Sequence, residues 1–176
     1  MERGKIRDVS SSLLYGKIIG DSQECNGRVL SMYFVDREKI EETLKFMEVQ
    51  LEAFERQATW RTSLEQAALE RIAHTLVESI LDVGNAMIDG FIMRDPGSYE
   101  DIVDILTDEK VVTNEMATSL KVVVGLRKML VQQYTAIDHL EVEQALTGNL
   151  ELVKQFPEKI RTYLTNELGP VSAFKP

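Results

Sequence analysis

Cysteine is nearly missing. Cys25 stands alone in 176 residues, so neither an intrachain disulfide framework nor a cysteine-built zinc site can form, and a lone thiol suits a reducing, cytoplasmic setting. Histidine is as scarce, with only His74 and His139. Neither stands in the Glu-x-x-His spacing that di-metal helical bundles use, so no metal site is expected. No glycine-rich phosphate loop, Walker sequence or Gly-x-Ser-x-Gly elbow occurs, and no cofactor is expected either. The longest clean apolar run is the short VVVGL at 122–126, far below the roughly 20 residues that cross a bilayer, so no membrane partner is expected. Positive charge is in short supply too: Lys+Arg 20 against Asp+Glu 29 leaves a net charge of -9 and a pI near 4.8. That is the wrong sign for a chain that coats nucleic acid through bulk charge, and any such contact has to be local.

What is present is enough apolar side chain, 44% of the residues, for one domain with a real core. Residues 1–31 differ in kind from the rest, with no sustained period. A signal peptide needs an unbroken apolar core, and SSLLYGKIIGDS interrupts its own with Gly16 and Lys17. Two readings stand for this stretch. It is a poorly ordered N-terminal extension to a domain at 32–176, or Met32 is the true start, since Gly27-Arg28 can be encoded as GGN-AGG, a ribosome-binding sequence just upstream of the Met32 codon.

From Asp36, a fair N-cap, the pattern turns helical, with Ile40, Leu44, Met47, Leu51 and Phe54 forming one apolar stripe. After the connector ATWRTS, Ser63 and Gln66 predict a capping box for a long second helix. Its apolar side is Leu69, Ile72, Leu76, Ile80, Val83 and Met87. Pro96-Gly97 breaks the chain, and Ser98 with Asp101 caps a short third helix carrying Ile102, Ile105 and Leu106. Thr113 opens a fourth helix with the seam Met116, Leu120, Val123, Arg127, Leu130, Tyr134. A last helical region is predicted from Asp138 to Leu168, softened at Gly148-Asn149, bent or restarted near Pro157, and ended by Gly169-Pro170. No segment alternates as a strand does. The expectation is an all-α fold, an antiparallel four-helix bundle plus a short extra helix.

The second helix carries a polar stripe of His74, Glu78, Asp82, Asn85 and Asp89, which reads as a solvated face or a subunit interface. His139 reads as an exposed histidine near a helix cap. Arg127 is the anomaly. A guanidinium in an apolar seam without partners costs several kcal/mol, so it must meet a carboxylate, a backbone acceptor or a phosphate, or sit where the seam opens to water. Asp82 or Glu78 on the facing helix is the structural answer.

The stretch GLRKMLVQQYTAID around Arg127 resembles the HepT-like branch of the HEPN helical domains, whose motif is an arginine, a short spacer, a histidine and commonly a tyrosine two positions on, as in RNxLVHxY. The similarity runs from MYFVDREKIEETLKFME through ILDVGNAMIDGFIMRDPGSYEDI to FPEKIRTYLTNELGPVSAFK and covers about Met32 to Pro176. It implies a homodimer of helical bundles whose motif helices meet at a central cleft. It also implies metal-independent RNA cleavage, in which the arginine binds the scissile phosphate and the histidine assists proton transfer as the ribose 2'-hydroxyl attacks. Toxins of this kind are typically paired with a nucleotidyltransferase antitoxin that adds AMP to the motif tyrosine. Carried over, Arg127 falls on the arginine and Tyr134 on the tyrosine.

The histidine position holds Gln132. An amide can hydrogen-bond a phosphate or ribose but has no group that titrates near neutral pH, and losing acid–base help typically costs about 10²–10⁴-fold. Lys128 beside the arginine adds a cation for phosphate. At about 100° per residue Arg127 and Gln132 diverge by roughly 140° on one helix, so a composite cleft is expected, while Arg127 and Tyr134 are expected to share a face. The functional expectation is therefore a HepT-family RNase weakened at Gln132. The alternative is a catalytically inactive helical dimer that binds RNA, nucleotide or a protein partner, and a purely structural dimer with Arg127 in an ion pair stands third.

Overall fold

The computed structural model describes residues 35–168, which place the expected core and all of the motif residues. Cys25, the extension 1–31, the alternative start at Met32 and the Gly169-Pro170 stop signal lie outside the described residues. The fold is all-helical: α1 (Arg37–Arg56), α2 (Ser63–Gly90), α3 (Tyr99–Asp108), α4 (Asn114–Gln132), α5 (His139–Val153) and α6 (Phe156–Leu168). No described helix is long and apolar enough to cross a membrane.

Asp36 caps α1 by accepting from the Lys39 amide, and the five expected stripe residues of α1 are all buried. The capping box of α2 is Thr62 with Glu65, one residue before the expected Ser63 and Gln66. Both pairs have the right spacing. What selects Thr62 is that the Glu65 carboxylate also takes the amide of Arg61, at 2.8 Å. The amide of Thr62 and, after it, that of Arg61 hold the Glu65 carboxyl below its ordinary range. Phe54 stacks on Trp60 across the α1–α2 connector at 5.6 Å between ring centroids, which stitches the turn shut.

Helix α2 is the hub, packed against α1, α3, α4 and α5. Leu69, Leu76, Ile80 and Met87 are fully buried along it. Its end is closed by Ile92 in the left-handed region (φ 51°), with the Met93 amide donating to the Ile88 carbonyl at 2.9 Å, a Schellman-type stop. Gly84 is where α3 comes closest, since a Cβ there would lie 2.4 Å from Ile102 Cγ2. Helix α3 therefore packs directly on both α2 and α4, and its first turn falls beside the C-terminal half of α4.

The last helical region is two helices. Gly148-Asn149 lies inside an unbroken α5, where the Asn149 amide side chain donates to the Ala145 carbonyl at 2.7 Å. The break comes at Lys154-Gln155, and Pro157 is the second residue of α6, where its missing N–H costs no helical hydrogen bond. Arg161 anchors α6 to α1 through Glu41 and Glu48. Those two carboxylates hold the guanidinium above its ordinary range, and Arg161 in turn lowers Glu41.

Candidate functional site

The α4 seam is buried at Met116, Leu120, Val123 and Leu130, as the spacing predicts. Arg127 is the one polar member inside the helix. Its Nε donates to Glu78 Oε1 of α2 at 2.8 Å, and its guanidinium carbon lies 4.2 Å from the centroid of the Tyr99 ring. The ion-pair answer to the half-buried charge is thus met by Glu78, while Asp82 is exposed. Glu78 occupies only the Nε edge. Among the described residues nothing accepts from the two Nη groups, so the donors that recognise a phosphate fork remain unspent.

Those donors border a cleft of about 140 Å³ lined by Tyr99, Glu100, Val124, Gly125, Arg127, Lys128 and Gln132. The three expected residues Arg127, Lys128 and Gln132 meet in this one cleft. Their divergence around α4 is overcome because α3 supplies the opposite wall with Tyr99 and Glu100. Sequence reasoning passed over these two residues, because nothing in the short pattern of α3 records which neighbour its first turn meets. Lys128, Gln132 and Glu100 have no hydrogen-bond or ion-pair partner among the described residues, which leaves a cation, an amide and a carboxylate free at the rim.

Tyr134 departs from expectation. Helix α4 ends at Gln132, capped by the Gln133 amide donating to the Met129 carbonyl at 3.1 Å, so Tyr134 lies past the helix, 69% exposed. It does not continue the seam, and helical periodicity does not put it on the face of Arg127. The chain then runs to Asp138, whose side chain caps α5. His139 also differs from its reading as an exposed side chain. It is half-buried, with Nε2 2.7 Å from Glu70 Oε1 of α2. His74 is half-buried as well, whereas Asp82, Asn85 and Asp89 are exposed along α2. Among the described residues no group of three or more His, Cys, Asp or Glu side chains comes together to hold a metal ion.

A second hollow of about 440 Å³ adjoins the cleft and shares Tyr99 and Glu100 with it. Asn85, Pro96, Gly97, Ser98 and Ile102 complete its lining. Its outer wall is clamped. Asp101 accepts from Arg94 Nη1 at 2.8 Å and from the Gly97 amide at 2.7 Å, and these two, Arg94 first, bring its carboxyl down to about 2. A depressed carboxyl contributes to the fold above its unfolded value and loses that contribution as pH falls, so the clamp holds throughout the neutral range and opens only in acid.

Residues 35–160 match the model of the family Ribonuclease HepT-like. The curated "Putative RNase YutE" of Bacillus subtilis (strain 168) is 56% identical over 144 residues, 82% of this chain and 100% of that protein. The solved structure of "Cytosolic Protein of Unknown Function YutE from Bacillus subtilis" superposes with a TM-score of 0.78 at 55% identity, covering 81% of this chain and all of the other. The tri-AMPylated Shewanella oneidensis HEPN toxin, solved in complex with MNT antitoxin, shares the fold at a TM-score of 0.60 and 20% identity, over 71% of this chain and 96% of that one. With its matched span running from the start of α1 into α6 and a relative aligned along its entire length, the chain belongs to the Ribonuclease HepT-like family.

Proposed function

We propose that the chain is a metal-independent RNase of the HepT type, working as a dimer of four-helix-bundle protomers, with its chemistry weakened at Gln132. The observation that carries this is the cleft in which Arg127, with both Nη groups unspent, meets Lys128 and Gln132. Arg127 grips the scissile phosphate through its Nη fork, Lys128 adds charge, and Gln132 hydrogen-bonds a phosphate or ribose oxygen. The ribose 2'-hydroxyl attacks phosphorus and the bond to the 5'-oxygen breaks, leaving a 2',3'-cyclic phosphate and a 5'-hydroxyl. The 2'-hydroxyl proton leaves to water and the departing 5'-oxygen takes a proton from water, with no side-chain imidazole for either transfer, which makes the step slow.

Cleavage of an end-labelled single-stranded RNA in the presence of chelator tests this. The native chain is expected to cleave slowly, and Arg127→Ala to abolish cleavage and weaken RNA binding. Native binding without any cleavage would favour the second reading, an inactive RNA-binding dimer, which the unspent Nη groups of Arg127 and the unpaired Lys128 support equally well.

The exposed Tyr134 fits an AMP acceptor, since a transferase can reach it without unfolding α4. Native mass spectrometry after co-expression with a candidate nucleotidyltransferase antitoxin reads both partner proposals at once. Twice the 20.0 kDa chain mass and AMP mapped to Tyr134 are expected. A monomer at micromolar concentration removes the dimer, and AMP at Tyr99 or Tyr163 removes the assignment of Tyr134.

A further inference from the structure

We propose that the hollow beside Tyr99 is a nucleobase subsite that takes an unpaired guanine next to the phosphate held by Arg127; it rests on the reading of the Arg127 cleft as an RNA phosphate site. Size separates the two spaces. The cleft of about 140 Å³ has room for a phosphate, while the adjoining hollow of about 440 Å³ has room for a planar base. Because Tyr99 and Glu100 border both, a phosphate in one has the other as the nearest space for a neighbouring base.

The lining suits a base. Tyr99 is 48% exposed even though Arg127 lies over its ring, so it can serve as a stacking platform whose electron-rich face is already polarised by a cation. Pro96 and Ile102 add apolar surface. The wall is set before binding, because Arg94 and the Gly97 amide both hold Asp101 across the base of the loop. Little ordering is left to be done when a ligand enters, which is what gives a small open hollow useful affinity.

The polar groups select the base. Neither Asn85 nor Glu100 has a hydrogen-bond partner among the described residues, so both are free to read an edge. Glu100 is an acceptor only, so on the side of the hollow it favours a base edge that offers adjacent N–H donors. Guanine presents two such donors side by side, N1–H and the N2 amino group, which match the two carboxylate oxygens. Adenine and cytosine present one amino group each and uracil one imino group. The Asn85 amide can donate to the guanine O6 or accept from water bridging to it.

Fluorescence titration with labelled uridine pentamers carrying a single central guanine, inosine or adenine tests the subsite, with 2'-O-methyl groups throughout to prevent cleavage. Inosine lacks only the N2 amino group. The guanine pentamer is expected to bind the native protein about tenfold more tightly than the other two. Glu100→Gln is expected to erase that difference with an unchanged melting temperature. Tyr99→Ala should weaken the guanine pentamer, with Tyr99→Phe restoring it. Equal binding of guanine and inosine by the native chain, or a preference that survives Glu100→Gln, overturns the subsite. If Arg127→Ala then still weakens every pentamer, the phosphate reading stands without it. If the native chain binds none of them, both fall together.

Discussion

Gln132→His is expected to raise RNA cleavage by about 10²- to 10⁴-fold without added metal. On the proposed reading the site it enters lacks little else, since Arg127 is oriented by Glu78 at Nε and by the Tyr99 ring across its face, leaving its Nη groups without a partner among the described residues. What is missing is a group that exchanges a proton near neutral pH. An imidazole, with an ordinary pKa near 6.5, supplies one. Residue 132 is the last of α4 and exposed, so the added ring meets no packing obstacle. There the helix dipole favours the imidazolium while Lys128 opposes it. The signature is therefore a pH–rate profile that gains a titration limb near neutrality which the native protein lacks. Arg127→Ala in the same background should remove the gain, because the phosphate is then no longer held. Native activity equal to that of Gln132→His would show that the glutamine is no defect and that another group takes the proton, Lys128 being the first suspect.

The periodic stripes of α1, α2 and α4 were legible because one face of each is buried continuously, and burial is what hydrophobic spacing records. Caps were legible wherever one side chain had one candidate position, as at Asp36, Ser98 and Thr113. At Thr62 and Ser63 two overlapping boxes competed, and only the additional Arg61 amide bound by Glu65 separates them. The end of α4 was misjudged for a similar reason. The seam spacing persists to Tyr134, but α4 ends at Gln132 and Asp138 already caps α5, and a local period holds no record of where one helix stops and the next begins.

Arg127 was recognisable as an anomaly from its place in an apolar seam, and Glu78 was among the partners expected on the facing helix. The composite nature of the cleft was legible only as a contradiction, in that Arg127 and Gln132 could not both point one way from α4. Tyr99 and Glu100 resolve it, and they come from an element whose own pattern says little beyond its cap and three apolar residues. Their contribution depends on how closely α3 approaches its neighbours, a tertiary quantity that no local spacing encodes.

That approach is governed by Gly84, and Gly84→Val is expected to destabilise the protein by about 3 kcal/mol, lowering the melting temperature by roughly 6–12 °C. Helix propensity alone argues the opposite, because glycine in a helix interior is about 1 kcal/mol worse than alanine and replacing it should help. The contact decides the sign. A Cβ at Gly84 would fall 2.4 Å from Ile102 Cγ2, and that methyl sits on the branched carbon of a buried residue, with no flexible end to swing aside. Helix α3 must move outward, carrying Tyr99 and Glu100 away from Arg127, so RNA binding is expected to weaken in the protein that remains folded. Gly148→Ala supplies the contrast. Nothing lies within 4 Å of a Cβ at Gly148, in the middle of α5, and the same kind of change there is expected to stabilise by about 0.5–1 kcal/mol and leave RNA binding alone. Gly125→Ala combines the two cases: its Cβ is equally unobstructed, but it enters the cleft beside Arg127, so stability should rise while phosphate affinity falls. Calorimetric melting of the three variants beside RNA titration settles the matter, and a Gly84→Val protein that melts at or above the native temperature would show that α3 is not held by this contact.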